Sequence, residues 1–386
     1  MISINLIYPI LIALLTPINK LSYCIENSSP HSSASFNDLV ASAKYFCPAK
    51  KAIIFNIEDN LPIGFVKNGT VDYTRYIQDA LNNYNNLLFP GFPLLINDNG
   101  LKIGSNKTIT FLKGSKLILK PSYNGNYDML SLRDVRNVKI IDPVIVGDRF
   151  SHLGTKGEWG MGIGIYGCTN ITIVNARVSK CWGDGIYLGV QNGLINRHIT
   201  LIKPSCINNR RDGFSIIAVD GLIMESPYAG YSNGTLPMSG INFEPDSPEN
   251  EIQNVVITNP FTEHNKGQGI QIGFDNLYGK SNKKVDVKII KHIDFKSSIG
   301  FKITCNTTVR KKNEIIEGRV ELINPHWKKN YVRPISTGLY GKDLFLLITK
   351  PKVQDVNGQE LNPEAVNKLL TFKKNINSNA HYKINF

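Results

Sequence analysis

A glycine followed by an apolar–polar alternation recurs six times along the chain: MGIGIYG from 161, DGIYLGV from 184, DGFSIIA from 212, SGINFEP from 239, QGIQIGF from 268 and IGFKITC from 299. The recurring glycines, 162, 185, 213, 240, 269 and 300, lie 23 to 31 residues apart, and each interval holds a second apolar run such as NITIVNARV, NVVITNP or RVELINP. Alternation with period two marks half-buried strands. Short strands with no convincing helix between them exclude a doubly wound α/β sheet, and the period suits a solenoid whose stacked coils bury a shared interior. Leucine-rich repeats need a Leu/Asn spacing that is absent here, and propeller blades need longer repeats. The pattern predicts an all-β chain: a single-stranded right-handed parallel β-helix over 126–345, a small α/β N-terminal cap over 51–125 and a C-terminal cap or tail over 346–386. Within the first cap, DYTRYIQDALNNY puts Tyr73, Ile77, Ala80, Leu81 and Tyr84 on one helical face, with Asp72 as N-cap.

The first 24 residues add a compartment to this picture. An apolar stretch from Leu6 to Ile18 is too short to span a bilayer comfortably and about right for a signal-peptide core, although no Lys or Arg precedes it. Leu21-Ser22-Tyr23-Cys24 loosely resembles a lipoprotein cleavage site. The expectation is a secreted or periplasmic protein, with lipid anchoring at Cys24 as a lesser alternative, a linker over 25–50 and no stable membrane span. The six cysteines, at 24, 47, 168, 181, 206 and 305, form no Cys-x-x-Cys pair and are too sparse for a disulfide scaffold, so most are expected to be buried thiols.

Charge is uneven. The net charge is +13, and the window from Lys280 to Lys352 carries seventeen basic and six acidic side chains. Such a face attracts polyanions, or is simply well solvated. No nucleic-acid motif accompanies it, so an acidic polysaccharide is the expected partner rather than nucleic acid.

The register predicts which groups point outward. With Ile163, Ile186, Phe214, Ile241, Ile270 and Phe301 lining the interior, Gly164, Tyr187, Ser215, Asn242, Gln271 and Lys302 point out. Asp184, Asp212, Ser239 and Gln268 form a second outward column, and Glu244 belongs to a third. Stacked coils are about 4.8 Å apart, so Asp184 and Asp212 should be neighbours, with Tyr187 beside them and Glu244 one coil on. Two carboxylates that close raise one pKa, which suits an acid–base or nucleophile pair; Asp-Gly also simply makes a good turn. The polar insertion GDRFSHLGTKGEWG, 147–160, offers Arg149 to grip a carboxylate, His152 to move a proton, Glu158 as a further acid and Trp159 to stack on a sugar. Arg149 can equally pair with Asp148, and Trp159 can cap the core. Trp182, Arg210, Arg211, Asn242, Gln268, Gln271 and Lys302 complete the candidate substrate-binding set. Glu244 and Asp246 are a weak calcium candidate; otherwise no cofactor and no metal is expected.

DYTRYIQDAL, LLFPGFPLLI and the Gly-led coils resemble the N-terminal unit and coils of the pectate-lyase-like superfamily, which includes polygalacturonases, polysaccharide lyases, epimerases and phage tailspikes. Within it, GDRFSHLGTKGEWGMGI, WGDGIYLG, NNRRDGFSII and SGINFEPDSPEN look like a bacterial right-handed β-helix family, and the resemblance covers most of 60–345. Polygalacturonases carry Asn-Thr-Asp, Asp-Asp, Gly-His-Gly and Arg-Ile-Lys in successive coils. Here the corresponding places are Trp182-Gly183-Asp184, Arg211-Asp212, Gly267-Gln268-Gly269 and Phe301-Lys302-Ile303, so two aspartates and a lysine remain. Gln268 cannot replace a titrating His. The Asp-Pro-His signature of alginate epimerases is absent.

These readings predict an enzyme acting on a polysaccharide, by glycoside hydrolysis with Asp184 and Asp212 as the carboxylate pair. One alternative is a lyase or C5-epimerase, with Arg149 or Arg211 neutralising a uronate and His152 or Tyr187 taking a proton. A second is a non-catalytic glycan-binding or tailspike-like protein. Trimers occur among similar solenoids, and the sequence leaves the oligomeric state open.

Overall fold

The computed structural model describes residues 53–279, 283–305, 316–339, 344–370 and 381–386. The expected signal peptide, the linker, Cys24 and Cys47 lie outside the described residues. Within the described residues, 31 strands fall into three parallel sheets of 12, 10 and 9 strands, forming a β-solenoid of about nine turns. Each turn contributes one strand to the twelve-stranded, then the ten-stranded, then the nine-stranded sheet.

The register matches the alternation residue for residue. In the nine-stranded sheet, Ile163, Ile186, Phe214, Ile241, Ile270 and Phe301 pair in one continuous row, and all are buried. Ile165, Leu188, Ile216, Phe243, Ile272 and Ile303 form a second row two residues on. Burying one such side chain contributes about 1.5–3 kcal/mol, so these rows stabilise the stack coil by coil.

Two turn positions recur with left-handed backbone. Asp142, Asn175, Lys203, Ser226, Asn259, Lys291, Asn324 and Lys350, with φ of 48° to 57°, link the twelve- to the ten-stranded sheet. Lys180, Asn208, Tyr231, His264, Lys296 and Lys329, with φ of 50° to 61°, follow the ten-stranded sheet. Asn tolerates this conformation best among residues with a side chain, which explains the Asn in the VNA, TNP and INP tripeptides. The recurring glycine serves a different need. A Cβ on Gly185 would lie 2.6 Å from both Asn209 Nδ2 and Cys206 Sγ, so close approach between coils fixes that residue.

The ends differ in detail from the sequence reading. Asn86–Phe89, Pro93–Ile96, Lys107–Phe111 and Lys116–Leu119, in the cap segment, already pair into the twelve- and ten-stranded sheets. Leu344–Thr349, Lys352–Gln354 and His381–Asn385 likewise extend those sheets at the other end. Helix α1, Thr74–Asn83, buries Ile77, Ala80 and Leu81. Its N-cap is Tyr73; Asp72 still receives the Thr74 N–H, at 2.9 Å. Cys168, Cys181, Cys206 and Cys305 are buried free thiols.

Candidate functional site

Asp184 and Asp212 each stand just before a strand of the nine-stranded sheet, outside the apolar interior. Asp184 Oδ1 accepts the backbone N–H of Asp212 at 2.8 Å, and Asp212 Oδ1 accepts that of Ser239 at 2.6 Å. Each acid thus caps the next coil. Ser215 lies between them, with Oγ 2.8 Å from Asp184 Oδ2 and 3.2 Å from Asp212 Oδ2. Asn242 Nδ2 reaches Asp212 Oδ2 at 3.1 Å and Glu244 Oε2 at 3.0 Å.

Arg211 roofs this pair. Its guanidinium lies 2.7 Å from Glu244, 3.1 Å from Asp184, 3.5 Å from Asp212 and 3.8 Å from Glu158. One cation therefore faces four carboxylates. The Asp184 and Asp212 side chains are 0% exposed, whereas those of Glu244 and Glu158 are 38% and 34% exposed. Burial raises the Asp184 pKa, opposed by Arg211 and by the bonds from Asp212 and Ser215. Burial and then the Asp184 charge push Asp212 well above the carboxylate range. Of the two, Asp212 is the carboxyl that burial and its neighbour's charge push furthest toward the protonated form, and Ser215 Oγ bridges it to Asp184. Burial alone would lower the Arg211 pKa, but Asp184, Asp212 and Glu244 hold it above its ordinary value.

The expected neighbours of the pair are present, and their exposure corrects their roles. Asp184, Asp212, Glu244 and Tyr187 lie on one face, as the register required. Yet the two aspartates are sealed and hydrogen-bonded to the next coil, so neither can touch a glycan in this arrangement. Tyr187 is half-buried, and burial followed by the charges of Asp184 and Asp246 raises its pKa, keeping the phenol neutral. Gln271 and Lys302 follow Asn242 in the same outward row. Gln268 accepts from Ser239 Oγ at 2.9 Å.

The 147–160 insertion is bound to the solenoid by its polar groups. His152 Nδ1 is 2.7 Å from Asp148 Oδ2, its side chain is 0% exposed and its ring stacks on Trp182 at 3.8 Å. This sealed position removes it from proton transfer with a surface ligand. Arg149 is spent as a staple, donating to the carbonyls of Asn208, Asn209 and Asn233. Trp182, 8% exposed, lies against His152 and against Arg210, whose guanidinium is 3.9 Å from the ring. Arg210 also donates to Gly157 O at 2.9 Å, fixing the insertion. Trp159 remains 53% exposed, free to stack on a ligand.

Sequence reasoning missed three contributors. Asp148 also receives Tyr127 Oη at 2.6 Å and the Ser122 N–H at 3.1 Å, anchoring the insertion from below. Ser215 appeared only as an outward neighbour, with no hint that it links both acids. Tyr166 stands 5.5 Å from Tyr187, hydrogen-bonded to Asp128 at 2.7 Å and covered by Arg133 at 3.8 Å; its place in MGIGIYG, one coil from Tyr187, was the available signal. Among the described residues no group of three or more His, Cys, Asp or Glu is arranged to hold a metal. Glu244, offered with Asp246 for calcium, is paired with Arg211.

No known family profile matches the chain. It is 27% identical over 214 residues to the SPbeta prophage-derived uncharacterized protein YorA of Bacillus subtilis (strain 168), covering 50% of this chain and 34% of that protein. It is 25% identical over 213 residues to the uncharacterized protein YclG of the same strain, covering 47% and 36%. The chain thus spans about a third of the length of the curated relatives it matches. Among solved structures, the mannuronan C-5 epimerase AlgE4 A-module of Azotobacter vinelandii superposes with a TM-score of 0.53 at 14% identity, over 79% of this chain and 89% of that one. Bacteriophage phi29 gene product 12, in its pre-mature form, superposes with a TM-score of 0.54 at 12% identity, over 82% and 48%. The chain is a parallel β-helix protein. At these identities the likeness speaks for the fold alone. No described helix is long and apolar enough to cross a membrane.

Proposed function

We propose that the chain is a polysaccharide-acting β-helix protein that takes its glycan along the outer face of the nine-stranded sheet and cleaves it by hydrolysis. Glu158 and Glu244, not the buried aspartates, are the acids that reach the substrate. The observation that carries this reading is the sorting of four carboxylates around Arg211 into two sealed and two half-exposed. The sealed pair holds Arg211, Arg211 holds the exposed pair, and Trp159 and Tyr187 supply faces for sugar rings. The apolar stretch at Leu6–Ile18 supports export, which suits a polymeric substrate.

Incubation with neutral and acidic polysaccharides tests the reading. Hydrolysis predicts new reducing ends without the absorbance of an unsaturated product. That absorbance would select a lyase instead. A second reading, glycan recognition without turnover, is favoured by the 2.7 Å contact of Glu244 with Arg211, which makes that carboxylate a poor nucleophile. Binding without any new chain ends would select it.

A further inference from the structure

Lys302 of the lysine-rich window stands in the outward row of the face just described, but six other lysines of the window lie elsewhere, on the last coils of the ten-stranded sheet and its two flanking turns. Lys296 and Lys329 occupy the same turn position on consecutive coils: the Lys296 N–H donates to Lys328 O at 2.9 Å, and that of Lys329 to Gln354 O at 3.0 Å. Lys291 and Lys350 share the other turn position two coils apart, with Asn324 between them. On the sheet, Lys328 pairs with Phe295 and Gln354, and Lys352 pairs with His326. With about 4.8 Å between coils, six ammonium groups fall within three coils.

None of the six is ion-paired to an acid among the described residues. Lys291, Lys350 and Lys352 are exposed; Lys296, Lys328 and Lys329 are half-buried along their stems. The nearby acids are otherwise engaged. Glu360 is 2.6 Å from His326 Nε2, Glu263 holds Tyr228 and His264, and Asp355 caps its own turn through the N–H groups of Asn357 and Gln359. Those three acids offset only part of the six positive charges, so the face stays net cationic, and an anionic partner relieves the remaining repulsion.

We propose that this face is a second binding surface, for a linear polyanionic glycan bearing carboxylates or sulfates along its length. The charges repeat along the solenoid axis instead of converging on one pocket, which fits a polymer better than a small anion. A glycan is favoured over nucleic acid because the patch's rings offer few open faces on which bases could stack. Tyr231 and His264 stack on each other with planes 4° apart, and Lys296 Nζ lies 5.1 Å from the Phe295 centroid. Tyr331, 67% exposed, is left as a single platform for a sugar.

Binding of the full chain to polygalacturonate, heparin and single- and double-stranded DNA, over a range of salt, tests this. The triple variant K296Q/K328Q/K329Q is compared with K102Q/K113Q/K116Q, three exposed lysines near the other end of the solenoid, with thermal melts to confirm that both fold. The triple variant at the patch should lose tenfold or more in glycan affinity at low salt. Its slope of log K against log salt should fall by about one per lysine removed, as counterion release requires. The control triple should bind like the parent. Equal losses in both triples, no loss in the patch variant, or tighter binding to DNA than to glycan at matched charge would overturn the proposal.

Discussion

Asp184 accepts the backbone N–H of Asp212 at 2.8 Å, so two acids 28 residues apart in sequence are neighbours on successive coils. The same bond gives the pair a structural task, because each aspartate satisfies a donor at the start of the next coil. Their burial, the Ser215 bridge between them, the raised pKa of Asp212 and the Arg211 roof follow from that stacking.

Asp212→Asn keeps the Ser239 N–H on its amide oxygen and can donate to Ser215 Oγ from its amide nitrogen, but that nitrogen meets the Asn242 Nδ2 donor, which lies 3.1 Å from Asp212 Oδ2. The variant should lose about 1–3 kcal/mol at pH 7, the cost of a buried donor left without its acceptor. Asp184→Asn removes the anion that Arg211 and Ser215 both address and should cost roughly 3 kcal/mol or more, as when one partner of a buried pair is lost. Denaturant unfolding of the two variants checks the asymmetry.

Asp294 sits inside the solenoid, with a pKa raised to about 7 by burial. Its Oδ1 receives Thr262 Oγ1 at 2.6 Å, and its Oδ2 receives Asn330 Nδ2 at 2.5 Å. A folded-state pKa above the unfolded value means that the folded state holds more protons between about pH 4 and 7, so this group's stability contribution falls as pH rises through that window. His292, buried and lowered to about 3, has the opposite slope below its ordinary pKa of 6.5. The difference between Asp294→Asn and the parent isolates Asp294. It should widen in the variant's favour from about pH 4 to 7, reaching a few kcal/mol at roughly 1.4 kcal/mol per pKa unit, and stay constant above. Melts at pH 4, 6 and 8 measure it.

Gly185→Ala places a Cβ 2.6 Å from Asn209 Nδ2, and Asn209 Oδ1 receives the Cys181 N–H at 3.0 Å. Relieving the clash breaks that coil-to-coil bond, so the substitution should cost about 1–3 kcal/mol or more. Gly193→Ala is the contrasting case, for the added methyl meets nothing within 4 Å. Its cost is confined to its φ of +77°. A smaller drop in midpoint for residue 193 than for residue 185 is expected.

The rows Ile163 to Phe301 and Gly164 to Lys302 were legible before any coordinates, because a parallel solenoid repeats one alternation and leaves a single in-register solution. The same logic placed Asp184, Asp212 and Glu244 on one wall. Solvent access was not legible. Whether Asp212 faces a glycan or a neighbour's backbone depends on Arg211, which folds over the pair from the preceding turn, and nothing in NNRRDG distinguishes Arg211 over the acids from Arg210 over Trp182. Arg149 and His152 looked functional because polar residues in a long insertion usually are. Three backbone carbonyls and Asp148 claim them here, since an insertion of that length needs buried anchors to hold its course. The first strands of the cap segment escaped the solenoid reading because they lack the Gly-led alternation, although they stack in the same two sheets.

The most direct test of the account sets Asp212→Asn beside Glu244→Gln in one assay of reducing-end release from a cleaved glycan. The account predicts that Asp212→Asn keeps turnover within a few-fold of the parent while Glu244→Gln loses a hundredfold or more. Loss of turnover in Asp212→Asn, with Glu244→Gln still active and both proteins folded, would contradict it.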